Sequence, residues 1–229
     1  MIFNVMTLFP EMIKSAVNES IIGRAIQNKI ITVNCFNIRD FSNDKHKRVD
    51  DYPYGGGPGM VMQCQPIYDC YSDIVKDKPK RPHTIYMSPK GKVLTQSRAL
   101  KLSKLDQVVI LCGHYEGVDQ RVLDEIVDEQ ISIGDYVITG GELAALVLID
   151  CVSRMVDGVL SKTDSFENES HYNGLLEHPQ YTRPEVWHNK RVPEVLIGGN
   201  HKLIEQWKRT NSIEQTLKNR PELLNKQQD

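Results

Sequence analysis

The chain has 229 residues, 40% of them apolar and 25% charged, enough to bury a sizeable core and to carry a smaller appended unit. A net charge of -2 excludes a protein that holds nucleic acid by bulk positive charge, because that mode needs many Lys and Arg to displace counterions; shape-specific RNA binding through local patches stays open. The longest apolar stretch, Leu143 to Ile149, falls far short of the roughly 18–20 residues of a membrane span, and no basic segment leads into an apolar one at the N-terminus, so a cytoplasmic protein without a membrane partner is expected.

Short apolar runs alternate with amphipathic stretches up to about residue 155, the signature of strands and helices laid against a mainly parallel sheet. In chain order, Ile2 to Leu8 predicts a strand, Glu11 to Lys29 a helical stretch, Ile31 to Ile38 a strand and Pro66 to Val75 a helix with proline near its start. Next come a strand at His83 to Met87, a helix at Thr95 to Lys104 and a strand buried on both faces at Val108 to Cys112. Asp119 to Val127 predicts a helix, Gln130 to Ile133 a strand, and Glu142 to about Val156 the last helix of this domain. The polar stretch from Arg39 to Tyr54 runs into Gly55-Gly56-Gly57-Pro58-Gly59 and reads as a long functional loop. Residues 161–173, rich in Ser, Asn, Asp and Glu, read as a linker between a 1–160 domain and a helical 174–229 domain whose breakers are Pro179, Pro184, Pro193 and Pro221. The five cysteines are odd in number and form no CxxC pair, so reduced thiols are expected rather than disulfides or a zinc site.

In open α/β sheets ligands gather at the carboxyl ends of strands. Three such segments stand out: Tyr86-Met87-Ser88-Pro89, Gly113-His114-Tyr115-Glu116-Gly117, and Ile133-Gly134-Asp135-Tyr136-Val137-Ile138-Thr139-Gly140-Gly141-Glu142. Each glycine alone reads as a tight turn; three such segments in succession point to a site where backbone groups approach a flat ligand. The first strand ends in Leu8-Phe9-Pro10, without the GxGxxG turn of a dinucleotide fold, which places any cofactor pocket among the later strands.

The segments Asp50 to Met60, Gly113 to Asp119, Ser132 to Tyr136, Thr139 to Glu142 and Tyr181-Thr182-Arg183-Pro184 together resemble the TrmD-type tRNA (guanine-N1)-methyltransferases of the SPOUT superfamily, in the same order and over nearly the whole chain. The resemblance implies an α/β fold: a mainly parallel sheet with helices on both faces, a deep trefoil knot in its later strands, and a small helical C-terminal domain. It also implies a homodimer with a composite active site, methylating N1 of the guanosine next to the anticodon of tRNA. A knot would not be proposed from periodicity, since threaded chains are rare. By the same resemblance S-adenosylmethionine is expected against Tyr86, Met87, Ser88, Pro89, Gly113, Tyr115, Glu116, Ile133, Gly134, Asp135, Tyr136, Val137, Ile138, Gly140 and Gly141. The counterpart of Glu116 is linked to methyl transfer and to a magnesium requirement. No carboxylate cluster in the sequence forms a dedicated magnesium cage, so no metal ligands are assigned.

Guanine N1 carries a proton at neutral pH, so its methylation needs a base for that proton and stabilisation of the charge developing on O6. The resemblance assigns O6 to Arg154 and the base to a linker acid. Local identity favours Asp164, in Asp164-Ser165-Phe166; distance to Gly174-Leu175-Leu176 favours Glu169, which is placed ahead. Apart from the resemblance both acids read as solvated, and Arg154 as a partner for Asp150 one turn earlier. His114 is expected to be structural, and Leu143, Leu146 and Val147 to lie in the core or a dimer interface. Candidate RNA contacts are Lys45, His46, Lys47 and Arg48 with Asp50 beside them, and Arg183, His188, Lys190, Arg191, Lys208 and Arg209 in a tail that holds nine Lys or Arg against six Asp or Glu from His178 onward. The alternatives are a knotted methyltransferase acting on ribose 2′-OH or ribosomal RNA, and an RNA-binding module without chemistry.

Overall fold

Five of the apolar runs become neighbouring strands in the computed structural model, which describes residues 1–160, 169–172 and 174–225. They are β1 (Ile2–Thr7), β2 (Thr32–Asn37), β5 (His83–Val93), β6 (Gln107–Cys112) and β7 (Glu129–Ser132), in the order β2-β1-β6-β5-β7, every adjacent pair parallel. Parallel strands need covered faces, and the central ones are apolar on both. Phe3, Val5, Ile85, Val108 and Ile110 are buried on one face; Met6, Val109 and Leu111 are buried on the other, clustered with Ile67, Ile74, Leu123 and Ile126 of α3 (Cys64–Val75) and α5 (Gln120–Ile126). The opposite helical layer is α1 (Pro10–Val17), α4 (Gln96–Leu102) and α6 (Glu142–Ser153), with α6 touching α1, α4, β1 and β6.

The single helical stretch predicted from Glu11 to Lys29 is instead two helices, α1 and α2 (Ser20–Gln27). The break is a backbone event: Ser20 has φ 55, and Gly23 packs so close that a Cβ there would sit 2.2 Å from the Asn18 carbonyl oxygen. β5 runs past its predicted end at Met87. Met87 and Lys92 both pair with Ile131, so Ser88 to Gly91 bulge out of register, and a Cβ on Gly91 would strike the Gln130 backbone at 2.4 Å.

Contacts divide the chain into two units, Met1–Ser161 and Lys162–Asp229. In the second unit α7 (Glu194–Ile197), α8 (His201–Asn219) and α9 (Glu222–Asn225) are joined by a hairpin that the helical reading of this region did not contain, β8 (Val186–Trp187) and β9 (Lys190–Arg191). Its two turn residues, His188 and Asn189, have φ 48 and 62, the left-handed pair of a tight hairpin turn. Thr216 is buried here, accepting from the Leu176 N–H at 2.9 Å and donating to the Ser212 carbonyl at 2.7 Å. No helix among the described residues is long and apolar enough to cross a membrane.

Candidate active site

The carboxyl ends of β5, β6 and β7 open onto one cleft of about 280 Å³, near the lower end of the roughly 300–1,000 Å³ common for small-ligand sites. The three segments singled out in the sequence form its walls. Of the fifteen residues expected against a cofactor, all line it except Asp135, which is exposed and outside the lining. Lys90 and Gln120, which no motif marked, line it as well.

Each wall is fixed by local chemistry. At the end of β7 the Ser132 hydroxyl donates to the Gly134 carbonyl at 2.9 Å, while the Gly134 N–H donates back to that hydroxyl at 3.1 Å. Gly134 has φ 148, and a Cβ on it would lie 2.5 Å from the Tyr136 ring. After β6, Tyr115 takes a left-handed φ of 58, unusual for a side chain of its size. Its hydroxyl accepts from Arg39 Nη2 at 3.2 Å, and its ring stands edge-on to His114 with centroids 4.9 Å apart. The β6 and β7 walls are tied directly: the Gly141 N–H donates to the Gly113 carbonyl at 2.8 Å, and His114 forms a bridge with Gly140. Burial pushes the Tyr86 phenol up, and burial beside the Glu142 carboxylate holds the Cys112 thiol well above its ordinary value, so neither is a reactive anion at neutral pH. All five cysteines are free thiols.

The long glycine loop is brought to the same place. β3 (Asp50–Asp51) pairs with β4 (Val61–Met62), and β4 is fastened to the β6 loop by the Met62 N–H to Gly117 carbonyl bond at 2.9 Å and the Glu116 N–H to Met60 carbonyl bond at 3.0 Å. Gly59, at φ 81, passes so close to Glu116 that a Cβ would meet its side chain at 2.5 Å. Asp119, below Glu116, caps α5 and is held well below the usual carboxylate range by the Arg121 guanidinium.

Of the proposed chemical groups, Glu116 lines the cleft, and Arg154 is half-buried at the carboxyl end of α6. Ala144 is the last α6 residue on the cleft wall, and Arg154, ten residues and about 15 Å farther along the helix, is not part of the lining. Glu169 is half-buried in the second unit, and Asp164 lies outside the described residues. Leu143 and Val147 do not enter the core: they are 48% and 47% exposed, an apolar stripe on α6. Of the RNA candidates, Lys45, His46, Lys47 and Arg48 are exposed on a loop folded around Asp44, which pairs with Arg48 at 2.9 Å and is held well below its ordinary value by that bond. Lys47 donates to the Ser42 carbonyl at 3.0 Å, and Asp50 is half-buried in β3. Arg183, His188, Lys190, Arg191 and Arg209 are exposed; Arg191 lies 3.6 Å from Glu185, and Lys208 pairs with Glu205 at 2.8 Å. Among the described residues no group of three or more His, Cys, Asp or Glu is placed to hold a metal ion.

The family model described as tRNA (Guanine-1)-methyltransferase TrmD matches residues 1–226. The chain belongs to this family. Its relatives include a tRNA (guanine-N(1)-)-methyltransferase of Ruminiclostridium cellulolyticum, 58% identical over 98% of this chain and 96% of the relative. Proteins of the same name from Alkaliphilus oremlandii and Clostridioides difficile are 56% and 54% identical, each over 98% of this chain and covering 92% and 97% of their own lengths.

Proposed function

We propose that the chain transfers a methyl group from S-adenosylmethionine to N1 of the guanosine next to the anticodon of tRNA. The observation that carries this reading is the one cleft walled by the segments that follow β5, β6 and β7, two of them glycine-rich, in a chain of this family. A flat ligand suits it: at Gly113, Gly134, Gly140 and Gly141 a Cβ would already collide with the wall, so backbone rather than side chains faces the space. Tyr86, Met87, Ser88, Pro89, Gly113, Tyr115, Ile133, Gly134, Tyr136, Val137, Ile138, Gly140 and Gly141 would hold the cofactor, with Glu116 at the mouth. When bound, the cofactor supplies an electrophilic methyl group.

The chain's own residues supply the rest. Glu169, or else Asp164, takes the proton from N1, and Arg154 donates to O6 as charge moves there. Arg154 does not line the cleft of its own chain. The α6 stripe, with Leu143 and Val147, fits against a second copy, which makes the site composite in a homodimer. The knot of the superfamily and a cytoplasmic location belong to the same reading. Any magnesium is held weakly or through the RNA. The loop at Lys45 to Arg48 and the basic residues of the second unit grip the tRNA backbone around a flipped base.

The test is transfer of labelled methyl from S-adenosylmethionine to a tRNA transcript, beside a transcript with adenosine replacing the target guanosine. Label on the first alone is expected; equal label on both would overturn the target.

A further inference from the structure

At the cleft wall His114 and, behind it, Glu142 form a polar pair that no step above uses. Glu142 is only 3% exposed, and one of its oxygens, Oε1, accepts from the Thr7 hydroxyl at 2.7 Å. The other oxygen, Oε2, has no hydrogen-bond partner among the described residues. His114 is in the matching position: its Nδ1 is buried and unpartnered, while its ring packs between Phe9 and Tyr115 at 5.2 and 4.9 Å. Both atoms point at one place. A Cβ on Gly140 would lie 2.5 Å from Glu142 Oε2 and 2.7 Å from His114 Nδ1, so the two face each other across a gap the size of a methyl group, kept open by the glycine.

We infer that His114 and Glu142 are a positioning pair for the cofactor: Nδ1–H donates to Oε2 and locks the Gly113–Tyr115 turn to the Thr139–Gly141 turn when the cleft is filled. The buried Nδ1 lacks a partner, and Oε2 has an acceptor site to spare, so modest side-chain rotations would let the two meet. The backbone bridge between His114 and Gly140 already holds the turns in register, and the side-chain pair sets the spacing of the walls that the ligand contacts. Neither residue touches the reacting atoms. The inference rests on the proposed cofactor and assigns a role to two residues of its site.

The test is calorimetric binding of S-adenosylmethionine to the full chain and its variants. His114→Ala weakens binding about tenfold, the worth of one charge-assisted hydrogen bond, and has almost no further effect in a Glu142→Ala background. His114→Asn, whose amide N–H falls where Nδ1 lies, retains affinity within about twofold, while His114→Gln, which mimics the other ring nitrogen, does not. With saturating tRNA the KM for S-adenosylmethionine rises while kcat changes little, a split that general loss of packing does not produce. Equal effects of His114→Ala in both backgrounds, or equal affinities of the Asn and Gln variants, overturn the pair. If Glu142→Ala fails to fold, the Asn and Gln contrast alone decides. Wild-type protein that binds no S-adenosylmethionine would sink the cofactor reading itself, whereas wild-type binding with indifferent variants sinks only the pair.

Discussion

Replacing both Leu143 and Val147 by Asp separates the composite-site reading from a self-contained one. Each side chain keeps about half its surface in water, 48% and 47%, although each sits on a helix whose other side is core. Covering that remaining half contributes about 1 kcal/mol per side chain, from the roughly 1.5–3 kcal/mol of a full burial. A two-fold interface uses four such halves, about 4 kcal/mol together, or about a thousandfold in dimer dissociation. The Asp carboxylates raise the penalty further, since covering them against an apolar partner carries a desolvation cost. Sedimentation velocity at micromolar concentration is expected to show a dimer for wild type and a monomer for L143D/V147D. The monomer keeps its thermal transition, because neither position is in the core, and loses methyl transfer, because a composite site needs the second copy. A variant that remains dimeric, or a monomer with wild-type turnover, would refute the reasoning.

Glu169→Gln reduces single-turnover methylation by about 10²–10⁴-fold with unchanged cofactor affinity, and near-normal rates in both it and Asp164→Asn would remove the linker base from the mechanism. Gly141→Ala places a Cβ 2.8 Å from Cys112 Cα and 2.9 Å from the Gly113 nitrogen, backbone atoms that cannot yield. A loss of about 1–3 kcal/mol in urea unfolding is expected, with weaker cofactor binding. At the amino ends of the strands, burial pushes the Glu129 carboxyl up, but bonds from His83 and Arg98 outweigh it and hold the group below its ordinary 4.5. A depressed carboxyl stabilises the fold above the unfolded value and loses that contribution as pH falls through the lower, folded one. Glu129→Gln therefore costs about 1–2 kcal/mol at pH 7, several degrees in Tm, and the gap to wild type closes in scans taken progressively below pH 4.5.

The central strands were legible because parallel strands covered on both faces must be continuous apolar runs. The ends of β1, β6 and β7 fall within a residue or so of the positions read from hydropathy. Three site segments were legible for a related reason: glycines and polar residues directly after such runs have few structural uses in common. What could not be read follows from backbone or tertiary contact. Nothing in the side-chain pattern of Glu11 to Lys29 reports the positive φ of Ser20, and the β8–β9 hairpin hides between prolines in strands of two residues. Asp135 was expected from the family resemblance, yet it is exposed and not part of the cleft lining. The approach of Gly59 to Glu116, and of His114 to Glu142 across Gly140, joins segments that only the folded sheet brings together.

The proposed chemistry turns on one atom, N1 of a guanine. Nucleoside mass spectrometry of tRNA from cells lacking the protein, before and after treatment with purified protein and S-adenosylmethionine, tests it most directly. The predicted result is 1-methylguanosine next to the anticodon, absent before treatment and present after. A methyl group recovered on a ribose or on another base would contradict the account.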